Sequence, residues 1–583
     1  MRALIDLWRA LRVRDRRRLA LIALGLACAA LLEVVGVASV IPFLTLVGDP
    51  GAAERVPYLA RAREALGLVD GRLFLLVTGA AALAAILTTA VVNAGLTYAQ
   101  LLFTHLTGFR LSRRLLSAYL GRDRLFFARA NSAELAKNVL SETDRLVIGV
   151  LTPATVLASR ATSALAVIAF LVAYAPGLAL ILGGGFGGLY VAIYLVMRAR
   201  LARLGSRAVA DNEARFRLVQ ETLSALTELK LYGRAEAFAG RFDAPARAYA
   251  VATAASLLTG QMPRFVIEAV AFGGVIAVVL FALGQGLDVA GILPLLGLFA
   301  FAGYRLLPAF QNIFTAIAQM RFYLPAVRVV VDELAGERPP APRGPERLPF
   351  AGAIRLEGLG FGYGTGTPAL EGIDLTIPVN TTVGLVGRTG SGKSTLAGLI
   401  LGVLTPESGR ITVDGCPLDA ASLPAWQNRV GYVPQDVFLI DGTVAQNIAL
   451  GVEPPDPDAV ERAARLAGAH DFVMDLPGRY AERVGERGAR LSGGQRQRLG
   501  IARALYHDPD VIVFDEATSA LDDETQGVVM RALRALSGRR TLILIAHRLS
   551  ILEGADAVHV LEAGRLVASG SPAAVLPRLG TAA

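Results

Sequence analysis

Six segments of this chain approach or exceed the about 20 apolar residues that one helix needs to cross a hydrocarbon core. They run roughly from Leu19 to Val47, Leu73 to Leu102, Thr152 to Tyr174, Leu178 to Met197, Phe265 to Leu283 and Ile292 to Ile317. Backbone in lipid must satisfy its own hydrogen bonds, which restricts such segments to helices. Six crossings return the chain to the side on which it began. Arginine identifies that side: Arg2, Arg9, Arg12, Arg14, Arg16, Arg17 and Arg18 precede the first span, and Arg110, Arg113, Arg114, Arg198, Arg200, Arg203 and Arg207 flank the second and fourth. By the positive-inside rule those ends are cytoplasmic. The opposite loops agree, since Ala175-Pro176-Gly177 carries no charge and Gln285 to Gly291 only Asp288.

The rest of the composition fits this reading. The 583 residues are 54% hydrophobic and only 18% charged, with a mean hydropathy of +0.50, too apolar for a soluble protein and too charge-poor for a disordered one. The net charge of +9 invites a nucleic-acid reading until it is located. Met1 to Pro340 holds 35 Lys and Arg against 22 Asp and Glu, a balance of +13, whereas the remainder holds 23 against 27, a balance of −4. The excess flanks membrane spans, which excludes nucleic acid as the partner. Two cysteines, Cys28 and Cys416, build neither a disulfide framework nor a metal cluster. The Arg-rich start followed by a long apolar run without a cleavage site reads as a retained first span.

Two cytoplasmic stretches, about Phe103 to Leu151 and Arg198 to Arg264, contain few helix breakers and extend the spans as helices into the cytosol. On the outer side, Glu54 to Leu68 has Pro57 near its start and Val56, Leu59 and Leu66 as weakly phased apolar positions, a short interfacial helix or an ordinary connector. After Glu337 comes Pro339-Pro340-Ala341-Pro342-Arg343-Gly344-Pro345, which cannot continue a helix. Strand-like and helical runs alternate beyond it, an α/β nucleotide-binding pattern. The chain therefore divides into a membrane domain over 1–335, a linker over 336–353 and an α/β domain over 354–583.

Within the α/β part, Gly387-Arg388-Thr389-Gly390-Ser391-Gly392-Lys393-Ser394 fits G-x-x-x-x-G-K-S between the strand Thr382 to Val386 and a helix that opens through Thr395. Its glycines allow backbone N–H groups to wrap phosphates, Lys393 pairs with the β and γ phosphates of ATP, and Ser394 offers a hydroxyl to Mg²⁺. Only Lys137 and Lys230 accompany Lys393 among 58 basic residues, so lysine stands where a compact point charge fits and a guanidinium fork does not. Val511 to Phe514 is an apolar strand leading into Asp515 and Glu516, suited to Mg²⁺ coordination and to activation of the attacking water.

Around these motifs, Leu491-Ser492-Gly493-Gly494-Gln495 resembles the signature loop of ABC ATPases. Tyr363 resembles their adenine-stacking aromatic, Gln435 in Tyr-Val-Pro-Gln-Asp their Q-loop glutamine, which joins Ser394 and Asp515 around Mg²⁺, Ser519-Ala520-Leu521-Asp522 their D-loop, and His547 their switch histidine. Gly485-Glu486-Arg487-Gly488 is similar to the X-loop of the exporters. The resemblance implies a multidomain membrane protein: an all-α six-helix transmembrane domain of ABC exporter type and an α/β P-loop ABC ATPase. It also implies a homodimer, because the P-loop of one protomer faces Ser492, Gly493, Gly494 and Gln495 of the other. Segments near Asp123 to Ser132 and Tyr232 to Phe242 match the family's coupling helices.

Cargo rests on charges inside the membrane, which are costly and seldom retained without use. Arg264 opens span 5 with Glu268 one turn on, Arg305 lies in span 6, Glu33 in span 1 and Arg160 in span 3. Arg264 and Glu268 read equally as an i,i+4 pair that fixes helix orientation. A narrower resemblance joins Ala30 to Gly36 with Ile41-Pro42-Phe43, Asn131 to Leu135, Glu228 to Arg234, and Tyr304 to Pro308 to the flippases of lipid-linked oligosaccharides in bacterial protein N-glycosylation. It implies an inner-membrane flippase with a cytoplasmic N-terminus and ATPase, whose Arg264 and Arg305 contact an anionic, lipid-linked head group. The alternatives are an exporter of hydrophobic drugs or other lipids and, from another class, an ATP-gated channel or regulatory protein.

Overall fold

The computed structural model describes residues 9, 13–48, 52–68, 70–122, 124–174, 184–185, 187–284, 289–335, 347–364, 366–516, 523–546 and 548–580. The chain forms two compact units. One comprises Met1–Arg122 and Ala130–Arg338, the other Asp123–Arg129 and Pro339–Ala583.

The first unit is helical. Its long helices are α1 (Val13–Gly48), α3 (Gly71–Leu120), α4 (Thr152–Tyr174), α5 (Gly187–Ser224), α6 (Ala235–Gly284) and α7 (Val289–Ala335), with the short α2 (Pro57–Ala65) between α1 and α3. At about 1.5 Å per residue the 50 residues of α3 and of α6 extend roughly 75 Å, more than twice a hydrocarbon core of about 30 Å. The helical extensions expected from the sequence are therefore continuous with the spans. Four segments among the described residues are apolar and long enough to cross a membrane: Val13–Gly36, Gly71–Leu120, Ser132–Ala169 and Leu306–Ala335. Of the expected spans, 178–197 includes positions outside the described residues, and 265–283 lies within α6.

Close packing sets the helix order. A Cβ on Gly205 of α5 would stand 2.0 Å from the carbonyl oxygen of Phe322 in α7, so only glycine lets the two backbones approach this closely. The helix leading into α4 is widened by two π-helical turns, Asn138–Glu142 and Val147–Leu151. Between them the buried Arg145 donates to Glu142 at 3.0 Å and lies 5.5 Å from the ring centre of Tyr323. A buried pair of this kind is held by geometry as much as by charge.

Between α1 and α3, α2 begins at Pro57, as its sequence suggests, and buries Leu59 against Leu46 and Phe74. Leu66, in phase with Leu59 only on paper, is exposed beyond the helix end.

The second unit contains two sheets. An antiparallel sheet has the order β2 (Pro368–Pro378), β1 (Ala353–Gly362), β4 (Ser408–Val413), β5 (Cys416–Pro417). The second sheet has the order β10 (Arg565–Gly570), β9 (Ala557–Glu562), β3 (Thr382–Val386), β8 (Thr541–Ile545), β7 (Val511–Asp515), β6 (Val430–Val433). From β9 to β6 its neighbours run parallel. Strands β3, β7 and β8 are buried along their whole length, which is why they read as unbroken apolar runs. In such a sheet ligands bind beyond the carboxyl ends of the strands, where the loops after β3, β6 and β7 meet.

Candidate nucleotide site and membrane charges

The loop after β3 turns sharply into α8 (Lys393–Ile400). Gly392 holds φ +103, and a Cβ there would meet Leu370 Cδ2 at 2.7 Å and the Ala369 carbonyl oxygen at 2.8 Å. Inside the turn, Lys393 Nζ donates to the carbonyl oxygens of Gly387 at 2.7 Å and Arg388 at 3.0 Å, so its ammonium closes the concave side of the loop. Burial lowers the Lys393 pKa, while Glu516 and Asp515 act in the opposite direction. Ser391 Oγ is buried without a hydrogen-bond partner among the described residues. A buried hydroxyl without a partner, beside an ammonium and the amino end of a helix, fits the phosphates of a nucleotide. Arg388, Thr389 and Gly390 lie on the exposed outer rim of the loop, and Thr395 is buried behind it.

Across the sheet, Ser394 Oγ donates to Asp515 Oδ1 at 3.3 Å, joining the loop to the end of β7. Gln435, two residues beyond β6, donates its amide to Glu516 Oε2 at 2.9 Å. Ser394 and Asp515, with the side-chain carbonyl oxygen of Gln435, would offer an all-oxygen donor set with a single carboxylate among its members. That suits Mg²⁺, which keeps several waters and substrate oxygens. No cluster of three or more His, Cys, Asp or Glu able to hold a metal by itself occurs among the described residues.

Tyr363, expected to stack on adenine, is exposed beside this loop. Its hydroxyl lies 3.0 Å from Thr395 Oγ1, and its ring packs edge-on to Phe361 at 5.1 Å. Tyr432, which the sequence does not single out, donates to Asp515 Oδ2 at 3.4 Å. Its only sequence signal is its place in the edge strand just before the Q-loop glutamine. His547 and the segment Ser519 to Asp522 lie outside the described residues.

The signature loop is a capped helix start. Ser492 Oγ accepts from the Gln495 N–H at 3.2 Å and Gln495 Oε1 accepts from the Ser492 N–H at 2.9 Å, a reciprocal capping box on α9 (Gly493–Leu505). Ser492 and Gly493 are exposed and Gly494 is buried. This leaves an outward-facing helix amino end with an affinity for anions.

In the membrane unit Arg264 Nε donates to Glu268 Oε1 at 2.7 Å, with side chains 63% and 43% exposed. The intrahelical pair thus forms while leaving the guanidinium accessible. The side chain of Arg305 lies outside the described residues, but its neighbour Leu306 belongs to an apolar cluster with Ala164, Val167, Tyr190 and Ile267. Arg160 precedes Ala164 by four residues and Val167 by seven, so it shares their inward helix face. The exposed apolar residues Ala158, Leu165 and Val172 lie on the other side of α4. Arg160 is nonetheless exposed and makes no ion pair among the described residues. Sequence reading registers Arg160 as an intramembrane charge; the helix face is what places it on the side of α4 that packs against α6 and α7.

Comparison with known proteins agrees with both units. Residues 22–304 match the ABC transporter transmembrane region and residues 370–519 the ABC transporter family. An ATP-dependent lipid A-core flippase of Saccharophagus degradans is 45% identical over 229 residues, covering 39% of this chain and 39% of that protein. A toxin RTX-I translocation ATP-binding protein of Actinobacillus pleuropneumoniae is 34% identical over 414 residues, 68% of this chain and 56% of the relative. The matches thus span well under two thirds of these relatives' own length. A bacterial Atm1-family ABC exporter solved with ATP bound superposes with a TM-score of 0.76 at 24% identity, over 97% of this chain and 96% of that one, a likeness of fold. The chain is accordingly a helical transmembrane region of ABC exporter type joined to an α/β ABC ATPase domain.

Proposed function

We propose that the chain, as one half of a homodimer in a bacterial inner membrane with its N-terminus and ATPase in the cytoplasm, uses ATP hydrolysis to flip or export a lipid-linked anionic substrate by alternating access. In the ATPase, Lys393 and the amide groups from Gly387 to Thr395 hold the phosphates, and Tyr363 stacks on the base. Glu516 takes the proton of the attacking water. Ser394, Gln435 and Asp515 are the residues that would hold Mg²⁺, which when bound neutralises charge on the phosphate oxygens. Ser492, Gly493, Gly494 and Gln495 present a helix amino end to the nucleotide of the partner protomer. For His547 the contact with the γ-phosphate rests on its sequence position.

The observation that carries the cargo reading is the accessible Arg160, which makes no ion pair among the described residues and lies on the inward face of α4, where Ala164 and Val167 share an apolar cluster with Ile267 of α6 and Leu306 of α7. A cationic, water-accessible face offsets the cost of moving an ionised head group through hydrocarbon. Relatives named for flipping lipid A-core support an amphipathic lipid, and the resemblance of several motifs to lipid-linked oligosaccharide flippases supports a glycolipid joined through pyrophosphate.

The test is ATPase stimulation in proteoliposomes by a pyrophosphate-linked glycolipid. Arg160→Ala, Arg264→Ala and Arg305→Ala should each reduce the stimulated rate far more than the unstimulated one. Equal loss of both, or stimulation preserved in all three, overturns the cargo reading. A second reading, an exporter of hydrophobic drugs or neutral lipids, is favoured by the Arg264–Glu268 pair, which gives Arg264 a structural role. Stimulation by neutral amphiphiles that survives all three substitutions supports it.

A further inference from the structure

Glu33 lies on the packed face of α1. Leu26, Ala29, Ala30 and Gly36, at helical spacing around it, are buried, whereas Leu24, Leu31 and Val35 are exposed on the other side. A carboxylate in the middle of such a stripe has been kept where an apolar side chain would cost nothing. Its depth is comparable to that of Arg160. Glu33 stands 15 residues before the end of α1 at Gly48, and Arg160 stands 14 before the end of α4 at Tyr174. At about 1.5 Å per residue these are roughly 22 and 21 Å along their helices.

The two residues are connected through Ser163. Its hydroxyl donates to Glu33 Oε2 across the α1–α4 contact, and Ser163 follows Arg160 by three residues, so their Cβ atoms are about 5 to 6 Å apart on one helix face. From the opposite side α3 fixes the register of α1: Thr89 Oγ1 donates to the carbonyl oxygen of Leu32 at 3.2 Å, and a Cβ on Gly36 would stand 3.3 Å from Thr89 Oγ1. The carboxylate is therefore held at a fixed depth, bonded to a residue that stands one helical turn from Arg160 on α4.

We propose that Glu33 is the resting counter-ion of the cationic face formed with Arg160, and that it sets the selectivity of that face among head groups. This rests on the anionic-lipid reading above. With the face empty, the carboxylate offsets arginine charge in a medium that screens poorly. When an anionic head group arrives, the same carboxylate opposes it, so only a head group carrying more than one negative charge, such as a pyrophosphate diester, outcompetes the resident anion. A single negative charge does not.

The experiment compares wild type with Glu33→Gln, Glu33→Asp and Ser163→Ala in proteoliposomes, reading the half-maximal concentration for ATPase stimulation by a pyrophosphate-linked polyprenyl glycolipid, by its monophosphate analogue and by a neutral glycolipid. Glu33→Gln keeps an acceptor for Ser163 and loses the charge. It should lower the half-maximal concentration for both anionic lipids about tenfold, most for the monophosphate, and leave the neutral one unmoved. Glu33→Asp and Ser163→Ala retain the charge and should keep the wild-type order of preference. Thermal unfolding in detergent accompanies each variant; if Glu33→Gln does not fold, the shift between wild type and Glu33→Asp decides, and a loss of selectivity in Glu33→Asp counts against the counter-ion role. Wild type stimulated by the diphosphate lipid, with Glu33→Gln unshifted or weakened toward every lipid, overturns the inference alone and leaves Glu33 as a helix clamp. Wild type unmoved by any anionic lipid overturns the cargo reading and the counter-ion role together.

Discussion

Gln435 and Glu516 are joined by a hydrogen bond of 2.9 Å from the Gln435 amide to Glu516 Oε2, although 81 residues separate them. Glu516 holds φ +52, a region that a residue with a Cβ occupies at a cost of about 1 to 2 kcal/mol. Strain of this kind persists where the surroundings over-determine it, and it clusters at working sites. The strand register from β7 fixes the backbone of Glu516, its N–H bonds the Ile545 carbonyl oxygen at 3.0 Å, and Gln435 fixes the side chain.

From this geometry Glu516→Gln should keep nucleotide binding and lose turnover. Positioned general bases contribute on the order of 10² to 10⁴ in rate, so hydrolysis should fall by that factor. Binding of a fluorescent ATP analogue and phosphate release, measured on the same preparation, check it. Turnover within threefold of wild type would remove Glu516 from the role of base.

The phosphate loop makes a steric prediction. In Gly392→Ala a Cβ would press on the Ala369 carbonyl oxygen at 2.8 Å from a backbone at φ +103. A strained backbone costs on the order of 1 to 3 kcal/mol. With about 1.4 kcal/mol per tenfold, ATP affinity should fall by roughly ten- to a hundredfold if the loop shifts to relieve the clash. Isothermal titration with ATP reads this directly, and an affinity equal to wild type would mean that the loop accommodates the methyl group.

The sequence made some of this legible and not the rest, for physical reasons. The P-loop is local, with spacing, flanking strand and helix all inside about 20 residues, so Lys393 and Ser394 can be assigned from sequence. The acidic end of β7 is likewise visible as an apolar run leading into Asp515 and Glu516. What escapes is pairing across distance. Nothing near Gly205 announces that Phe322 stands against it, and nothing near Glu33 announces Ser163, 130 residues away. Helix periodicity marks Leu66 as apolar in phase with Leu59, yet α2 ends before it and only Leu59 is buried.

The contact between α5 and α7 can be tested by glycine replacement. Gly205→Ala forces a methyl group against a main-chain oxygen 2.0 Å away, and overpacking of this kind costs about 1 to 3 kcal/mol. Gly240 in α6 supplies the control, since nothing lies within 4 Å of its Cβ position, and alanine there favours the helix by up to about 1 kcal/mol. Thermal unfolding in detergent should move down for Gly205→Ala and stay level or rise for Gly240→Ala. Equal melting of the two would mean that α5 and α7 do not touch at this point in the folded protein.

The last prediction concerns pH and the ATPase unit. His559 is buried in β9, with Nδ1 2.8 Å from Ser569 Oγ on β10 and Nε2 buried without a partner among the described residues. Burial lowers its pKa below the ordinary value of about 6.5, because protonation would place a charged N–H where no acceptor waits. The unfolded chain then binds the proton more readily than the folded one. Stability is fully present above about pH 6.5 and is lost as pH falls through that value toward the depressed folded pKa. Between pH 7.5 and 5.5, a range above the carboxylates, the melting temperature of the ATPase unit in the full-length protein should fall with acidification. His559→Gln should flatten that slope while keeping an acceptor for Ser569. A slope unchanged in His559→Gln would assign the acid sensitivity to another group.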